Sequence, residues 1–143
     1  MPDNAPIPAF DPLSIAISGT NLIEASAGTG KTYGIAALFT RLVVLEQMPV
    51  ESILTVTFTK AATAELKTRL RTRLDEVLQA LESVKDTDNL SDDLETYCRD
   101  NHPGDVFLTG LLKQALAQES RARLIVRLKA AIGQFDNAAI YTI

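Results

Sequence analysis

The sequence has very few of the residues from which disulfides and zinc sites are built. It contains one cysteine, Cys98, one histidine, His102, and no tryptophan. A single cysteine excludes an intrachain disulfide, and with only one histidine beside it no zinc site of cysteine and histidine ligands can form. Apolar runs of the ~18 residues that span a bilayer are also missing, and the acidic, proline-interrupted N-terminus is not typical of a signal peptide. These absences predict a cytoplasmic protein with no membrane partner.

Charge is unevenly distributed along the chain, whose formal net charge is −4. Residues 60–73 and 113–129 are strongly basic, whereas residues 82–105 are strongly acidic. The net charge argues against nucleic-acid binding over the whole surface, but not against binding at one basic segment. Each charged segment, taken alone, is typical of a solvated helix face.

The stretch NLIEASAGTGKT, residues 21–32, has the pattern of a phosphate-binding loop. Its short apolar run predicts a strand at residues 22–25, followed by a small-residue turn and a helix. Gly28 and Gly30 accept backbone angles that let amide groups face phosphate oxygens, close to the positive end of the helix dipole. Lys31 supplies a point charge for the β- and γ-phosphates, and Thr32 supplies a hydroxyl for Mg²⁺.

We therefore predict that ATP and Mg²⁺ bind to a loop of eight consecutive residues: Ala25, Ser26, Ala27, Gly28, Thr29, Gly30, Lys31 and Thr32. Within it, Lys31 and Thr32 are the predicted catalytic groups and Thr32 the magnesium ligand. Ala25 stands where the strict pattern has its first glycine, so only a relaxed form of the pattern is met. The alternative interpretation is a glycine-containing strand–helix turn with an exposed lysine.

Hydrophobic periodicity predicts the elements that follow. Apolar residues at helical spacing indicate a helix from Thr32 that ends before Pro49. Residues 53–58 are β-branched and largely apolar, which favours a strand buried on both faces and parallel to the strand at residues 22–25. A long helix is predicted from Ala61. It is followed by an acidic linker with one weak helix at residues 84–101.

Two amphipathic helices are predicted at residues 106–117 and 121–135, and a third strand at residues 138–143. The predicted fold class is α/β, with the partial parallel sheet of a P-loop NTPase (RecA-like) and a helical insertion. Because the last strand ends the chain without a polar tail, we expect the sequence to be truncated.

Thr57, Phe58 and Thr59 come at the carboxyl end of the second predicted strand, where ligands of open parallel sheets bind. An aromatic ring between two hydroxyls, followed by Lys60 and a basic helix, suits single-stranded nucleic acid. An alternative fits equally well, in which Phe58 is a core residue and the threonines cap the next helix.

The segments IEASAGTGKT (residues 23–32) and VTFTKAATAELKTRLR (residues 56–71) resemble motifs I and Ia of superfamily 1 DNA helicases of the UvrD/Rep class. Within that class they are most similar to the RecB-type beta subunits of exodeoxyribonuclease V. The closing AAIYTI (residues 138–143) resembles the start of the Thr-Ile-His motif, a further DNA contact, and stops before its histidine.

The resemblance implies an ATP-dependent 3′→5′ DNA helicase and exonuclease subunit of double-strand break repair and recombination. Its implied partners are single-stranded and double-stranded DNA and the other subunits of a RecBCD-type complex. The implied organisation is an irregular lead-in (residues 1–20), the first part of motor domain 1A (21–83), a helical insertion resembling subdomain 1B (84–135) and a truncated return strand (136–143). The implied DNA-binding residues are Thr57, Phe58, Thr59, Lys60 and Thr142.

The sequence departs from the family pattern at two points. No glutamine precedes Lys31, so the adenine-reading glutamine of many relatives has no counterpart. No apolar strand ends in Asp-Glu, since Asp75-Glu76 lies in an amphipathic helical pattern. We therefore expect ATP binding without turnover by these 143 residues alone.

Other functions are compatible with the same patterns. Another UvrD-like or AddA-like helicase would share both motifs. A small P-loop phosphotransferase would share the loop but would need an arginine-rich acceptor site. A non-catalytic interaction module would use the acidic segment 82–105 or the basic helix 121–129 to dock on a partner.

Overall fold

The computed structural model describes residues 9–24 and 31–143, which are mostly helical with one small sheet. Seven elements form the framework: helices α1 (Lys31–Val44), α2 (Lys60–Ser83), α3 (Leu90–Asn101), α4 (Val106–Gln118) and α5 (Arg121–Gly133), and strands β1 (Leu54–Thr57) and β2 (Ala139–Thr142). Short 3₁₀ turns at Val50–Ser52 and Phe135–Asn137 lead into the strands. The predicted helices and the predicted strands at residues 53–58 and 138–143 are confirmed, with ends that differ by a few residues.

The sheet is parallel and two-stranded, with Leu54 opposite Ala139 and Thr57 opposite Thr142. Leu54 and Val56 are 66% and 43% exposed. The prediction that this strand is buried on both faces is therefore wrong, because within residues 9–24 and 31–143 only one face of the sheet packs on a helix, α2. Among the described residues, β1 and β2 pair only with each other.

The predicted strand at residues 22–25 does not form in its described part. Residues 21–24 belong to neither helix nor strand, and Leu22 is 84% exposed. A strand is stabilised by backbone pairing, and among the described residues neither β1 nor β2 pairs with residues 21–24. The prediction is wrong for residues 22–24, and Ala25 lies outside the described residues.

Helix α2 is the centre of the structure and packs against α1, α3, α5 and both strands. It begins where Thr59 accepts a hydrogen bond from the Ala62 amide at 3.0 Å, an N-cap that satisfies one unpaired donor of the first turn. Its buried side chains fall at helical spacing: Thr63, Leu66, Leu70, Leu74, Val77, Ala80 and Leu81. The long helix predicted from Ala61 is therefore confirmed, and its apolar side chains face the core.

Carbonyl groups at the C-terminal ends of α1 and α2 accept hydrogen bonds from arginines of the basic segment 113–129. Arg127 donates to the Val43 and Val44 carbonyls at 3.0 and 2.8 Å, and Arg121 donates to the Leu81 carbonyl at 2.7 Å. Such carbonyls have no partner within their own helix, and the helix dipole favours a cation beside them. The interpretation of this segment as a solvated face is wrong for these two arginines.

Residues 9–15 pack on the helical layer although they form no helix. The Phe10 ring lies against Gly34 of α1, where an added Cβ would approach it to 3.0 Å, and Leu13 lies against Gly110 of α4, where the approach would be 2.6 Å. Arg41 donates to the Pro12 and Ile15 carbonyls at 3.1 and 2.6 Å. Two glycines and one arginine therefore fix the path of the chain into residues 21–24.

The thiol of Cys98 is buried on α3 and faces α4. Burial raises its pKa, the charge of Asp105 acts in the same direction, and a hydrogen bond with Thr109 opposes both. We predict that Ellman's reagent modifies Cys98 slowly in the native chain and rapidly in urea, because the thiolate is the reactive form. The raised pKa also predicts that the Cys98 thiol contributes to the free energy of unfolding. This contribution is fully present below pH ~8.5 and falls as the pH rises towards the pKa of the thiol in the folded state. Prompt native modification would contradict the packing of α3 on α4.

None of the helices described is both long enough and apolar enough to cross a membrane.

Candidate functional site

Two of the eight predicted ATP-binding residues fall within the described structure. Lys31 and Thr32 are the first two residues of α1, where Lys31 is exposed and Thr32 half-buried. Backbone N–H groups in a first helical turn have no partner within the helix, and the positive end of the dipole lies there. The other six predicted residues, at positions 25–30, lie outside the described residues.

A cavity borders the segment that leads into this loop. It encloses about 520 Å³ and is lined by Ala9, Phe10, Asp11, Ser14, Ile15, Leu22, Ile23 and Glu24. The apolar members come from two irregular stretches, so hydrophobic periodicity gives no signal for them. Sequence reasoning missed this cavity, and the Phe–Asp–Pro–Leu turn at residues 10–13 was the one local hint of an ordered lead-in.

The predicted DNA-binding residues of β1 lie at its carboxyl end. The Phe58 side chain is 85% exposed, and Lys60, two residues further on, is also exposed. The interpretation of Phe58 as a core residue is therefore wrong. The second part of that interpretation is right for Thr59, whose hydroxyl caps α2.

Three threonine hydroxyls meet beside Phe58. The Thr63 Oγ1 lies 2.5 Å from the Thr57 Oγ1 and 2.6 Å from the Thr142 Oγ1. Thr57 and Thr142 are directly opposite in the sheet, and the Ile143 amide donates to the Thr57 carbonyl at 2.8 Å. The structure thus brings the two predicted threonines, Thr57 and Thr142, together through a residue that sequence reasoning missed. The available signal was a polar side chain at a position of the apolar stripe of α2.

Arg73 joins three helices. It donates to Asp105 at 2.6 Å and to Glu76 at 2.9 Å, and its guanidinium lies 5.4 Å from the Tyr33 ring centroid and 5.5 Å from that of Phe107. Burial opposes its charge, but the hydrogen bonds and attraction to both carboxylates outweigh that effect, so the pKa of Arg73 is raised. Asp105 also caps α4 by accepting from the Leu108 amide at 3.1 Å.

The same region contains three side chains of the kinds that bind metal ions in proteins. Ligand atoms of Glu76, His102 and Asp105 lie within 4.8 Å of one another. Arg73 already donates to both carboxylates, so a side chain of the protein itself compensates part of their negative charge. This ion-pair cluster connects α2 to the start of α4.

The two candidate sites meet α2 at different levels. Tyr33, next to Thr32 in sequence, packs on Arg73, whereas the hydroxyl cluster meets α2 at Thr63. With a rise of about 1.5 Å per residue, these levels are roughly 15 Å apart along the helix. Helix α2 is therefore a rigid connection between the two candidate sites.

Comparison with known proteins gives the chain a family. The sequence profile of the UvrD/REP helicase N-terminal domain matches residues 11–143. The RecBCD enzyme subunit RecB of Haemophilus influenzae is 38% identical over 141 residues, covering 94% of this chain and 11% of that protein. RecB of Escherichia coli is 49% identical over 76 residues, covering 48% of this chain and 6% of that protein. RecB of Mycolicibacterium smegmatis is 36% identical over 123 residues, covering 86% of this chain and 9% of that protein.

The chain spans about a tenth of the length of these relatives, or less. The matched residues include both segments on which the resemblance to motifs I and Ia rests, and they extend through the helices between the strands. The family resemblance is thereby confirmed over nearly the whole chain. The chain belongs to the UvrD/REP helicase N-terminal domain family.

Proposed function

We propose that the chain is the ATP- and DNA-binding N-terminal part of a RecB-type motor subunit. The whole protein would be an ATP-dependent 3′→5′ helicase and exonuclease of double-strand break repair and recombination. Family membership and relatives named RecBCD enzyme subunit RecB support this proposal. The observation that carries it is the exposed Phe58 ring at the carboxyl end of β1, between two threonines and next to a lysine.

The proposed nucleotide site is the P-loop formed by residues 25–32. Lys31 would hold the β- and γ-phosphates of ATP, and Thr32 would hold Mg²⁺ through its hydroxyl. The position of both residues in the first turn of α1 supports this assignment. Metal-bound phosphate would have part of its charge neutralised, which is the chemistry that Mg²⁺ supplies in such sites.

We propose the domain division implied by the family: residues 21–83 as the first part of motor domain 1A, 84–135 as an insertion like subdomain 1B, and 136–143 as the return strand. Helices α3 to α5 lie between β1 and β2 in sequence, and β2 returns to pair with β1. That connectivity supports an insertion into a parallel sheet.

The proposed partners are single-stranded and double-stranded DNA and the other subunits of a RecBCD-type complex. Turnover would need carboxylates from beyond these 143 residues, because Asp75 and Glu76 lie in the middle of α2 rather than at a strand end. Glu76 is also paired with Arg73. The chain by itself would bind ATP without hydrolysing it at the rate of the whole motor.

We predict that Phe58→Ala weakens binding of single-stranded DNA about 5- to 150-fold, since stacking on one aromatic ring is worth ~1–3 kcal/mol. Its melting temperature should stay at the wild-type value, because the ring is exposed. Fluorescence anisotropy with a labelled oligothymidylate measures the first quantity and circular dichroism the second. Val126→Ala, which removes an exposed apolar side chain from α5, is the matched control. Unchanged affinity with a markedly lower melting temperature would overturn the DNA-binding role.

A further inference from the structure

Arg73 is a mostly buried cation that lies between two aromatic rings and two carboxylates. Its side chain is 12% exposed, and its guanidinium carbon lies 5.4 Å from the Tyr33 ring centroid and 5.5 Å from that of Phe107. One of its nitrogens, Nη1, donates both to Glu76 on α2 and to Asp105 at the start of α4. The guanidinium is therefore held in place by α2 and α4, and Tyr33 of α1 packs on a group whose position is already set.

Tyr33 is less firmly packed than the arginine beside it. It is 44% exposed, and it lines a cleft of about 280 Å³ together with residues of α2 and with Asp105. Shape alone does not fix the ring, because this cleft leaves it room to move. A cation attracts the face of an aromatic ring electrostatically. The contact with Arg73 thus selects one position of the Tyr33 ring among those that the cleft allows.

The first turn of α1 contains Lys31 and Thr32, the two described residues of the proposed nucleotide site, and Tyr33 follows directly. Neighbouring residues of a helix move together, because their carbonyl groups are bonded to amides one turn later. A shift of Tyr33 relative to α2 therefore also shifts Lys31 and Thr32. Groups that bind a ligand well are held within ~0.5 Å of the productive geometry. The contact between Tyr33 and Arg73 therefore affects how well these two residues can bind phosphate and Mg²⁺.

We propose that Arg73 is a positioning residue for the nucleotide site: held by Glu76 and Asp105, it fixes Tyr33 and thereby the first turn of α1. This role rests on the proposed nucleotide-binding function. Arg73 acts through Tyr33 and needs no contact with the nucleotide itself. Since Asp105 is also the N-cap of α4, the nucleotide site and the start of that helix are energetically linked.

The test measures the affinity of the complete 143-residue chain for Mg·ATP by calorimetric titration. Asp105→Asn keeps an oxygen that caps α4 but replaces the oxygen that accepts from Arg73 by an NH₂ group. The guanidinium then loses one of its two partners, and the affinity should fall about two- to fivefold, the effect of one contact between a cation and a partly exposed ring. Glu95→Gln is the matched control and should bind like the wild type. It makes the same chemical change in the ion pair between Glu95 on α3 and Lys113 on α4, which does not include Arg73.

Two replacements of Tyr33 show whether the effect passes through its ring. Tyr33→Phe keeps the ring face and should retain the wild-type affinity for Mg·ATP, whereas Tyr33→Leu should lose as much affinity as Asp105→Asn. Adding Asp105→Asn to Tyr33→Leu should cause no further loss. Additive losses would overturn the role of Arg73. Weak binding by Tyr33→Leu alone, with wild-type affinity in Asp105→Asn, would overturn it too, because the ring would then contact the nucleotide directly.

A second measurement, amide hydrogen exchange, separates positioning from general stability. Coupling between two sites is reciprocal, so Mg·ATP should slow exchange of the Leu108 amide, which Asp105 caps at 3.1 Å, by the same two- to fivefold. The Arg123 amide, which Ser120 caps in the same way on α5, reports any general stabilisation by the nucleotide and should change less. In Asp105→Asn the two amides should respond alike.

The outcomes distinguish this role from the function on which it rests. A wild-type chain that binds Mg·ATP but protects Leu108 no more than Arg123 would overturn the positioning role and leave nucleotide binding intact. Equal affinities in the wild type and Asp105→Asn would do the same. A wild-type chain that binds no Mg·ATP would instead overturn the proposed nucleotide site, and the role of Arg73 with it.

Discussion

Replacing Lys31 by alanine should reduce the affinity for Mg·ATP about 10- to 150-fold. The ammonium group would be lost from a loop whose charge-assisted hydrogen bonds to phosphate are worth ~1.5–3 kcal/mol. Lys31 lies in the first turn of α1 and is exposed, so its removal should leave the fold unchanged. Calorimetric titration of the wild type and of the variant measures the difference.

Lys67→Ala is the control for this experiment, because it removes an exposed lysine from α2 and leaves the same net charge as Lys31→Ala. Its affinity for Mg·ATP should equal that of the wild type. Equal losses in both variants would indicate a general charge effect. Equal affinities in all three proteins would refute the assignment of residues 25–32 as the nucleotide site.

Replacing Arg73 by methionine should lower the free energy of unfolding by about 2–3 kcal/mol. Removing one partner of a buried ion pair leaves the other charge without compensation. Here two carboxylates, those of Glu76 and Asp105, would face each other, with side chains 25% and 17% exposed. The variant would also lose the contacts of the guanidinium with the rings of Tyr33 and Phe107. Urea denaturation followed by circular dichroism measures the change.

Arg69→Met supplies the comparison one turn earlier on α2. Arg69 pairs with Glu65 at 3.2 Å, but both side chains are more than half exposed, and such pairs contribute about 0.3–0.5 kcal/mol. The two variants remove the same chemical group from the same helix, so their difference isolates burial. Similar losses of stability in both would mean that Arg73 is not the connection between α1, α2 and α4 that the contacts indicate.

Periodicity predicted the helical part of the fold because apolar spacing is a local signal. The leucine stripe of α2 at Leu66, Leu70 and Leu74 is such a case, and all three side chains are buried. The prediction of a strand is wrong at residues 22–24 for the opposite reason. Two apolar residues before a turn cannot show whether a partner strand lies beside them, and in the described part of the chain neither β1 nor β2 pairs with residues 21–24.

The candidate DNA site was predictable only in part. The positions of Thr57 and Phe58 after an apolar strand place them at the edge of a sheet, but burial alone decides between stacking and core packing for Phe58. The connection from Thr63 to Thr142 spans 79 positions, and the pair of Arg73 with Asp105 spans 32. Such contacts depend on how helices pack and leave no mark in local sequence patterns. Residues 25–30 remain a prediction.

The long separation of the two strands has a consequence for how the chain folds. Paired strand residues such as Thr57 and Thr142 are 85 positions apart. Loop-closure entropy over such a distance amounts to roughly 4 kcal/mol, and pairing of distant parallel strands is slow in comparison with helix formation. Helices α3 to α5 shorten that gap once they have packed on α2. The threonine cluster should therefore assemble late in folding and open early in unfolding. A surface that would hold DNA is thus built last, after the helices that never touch it.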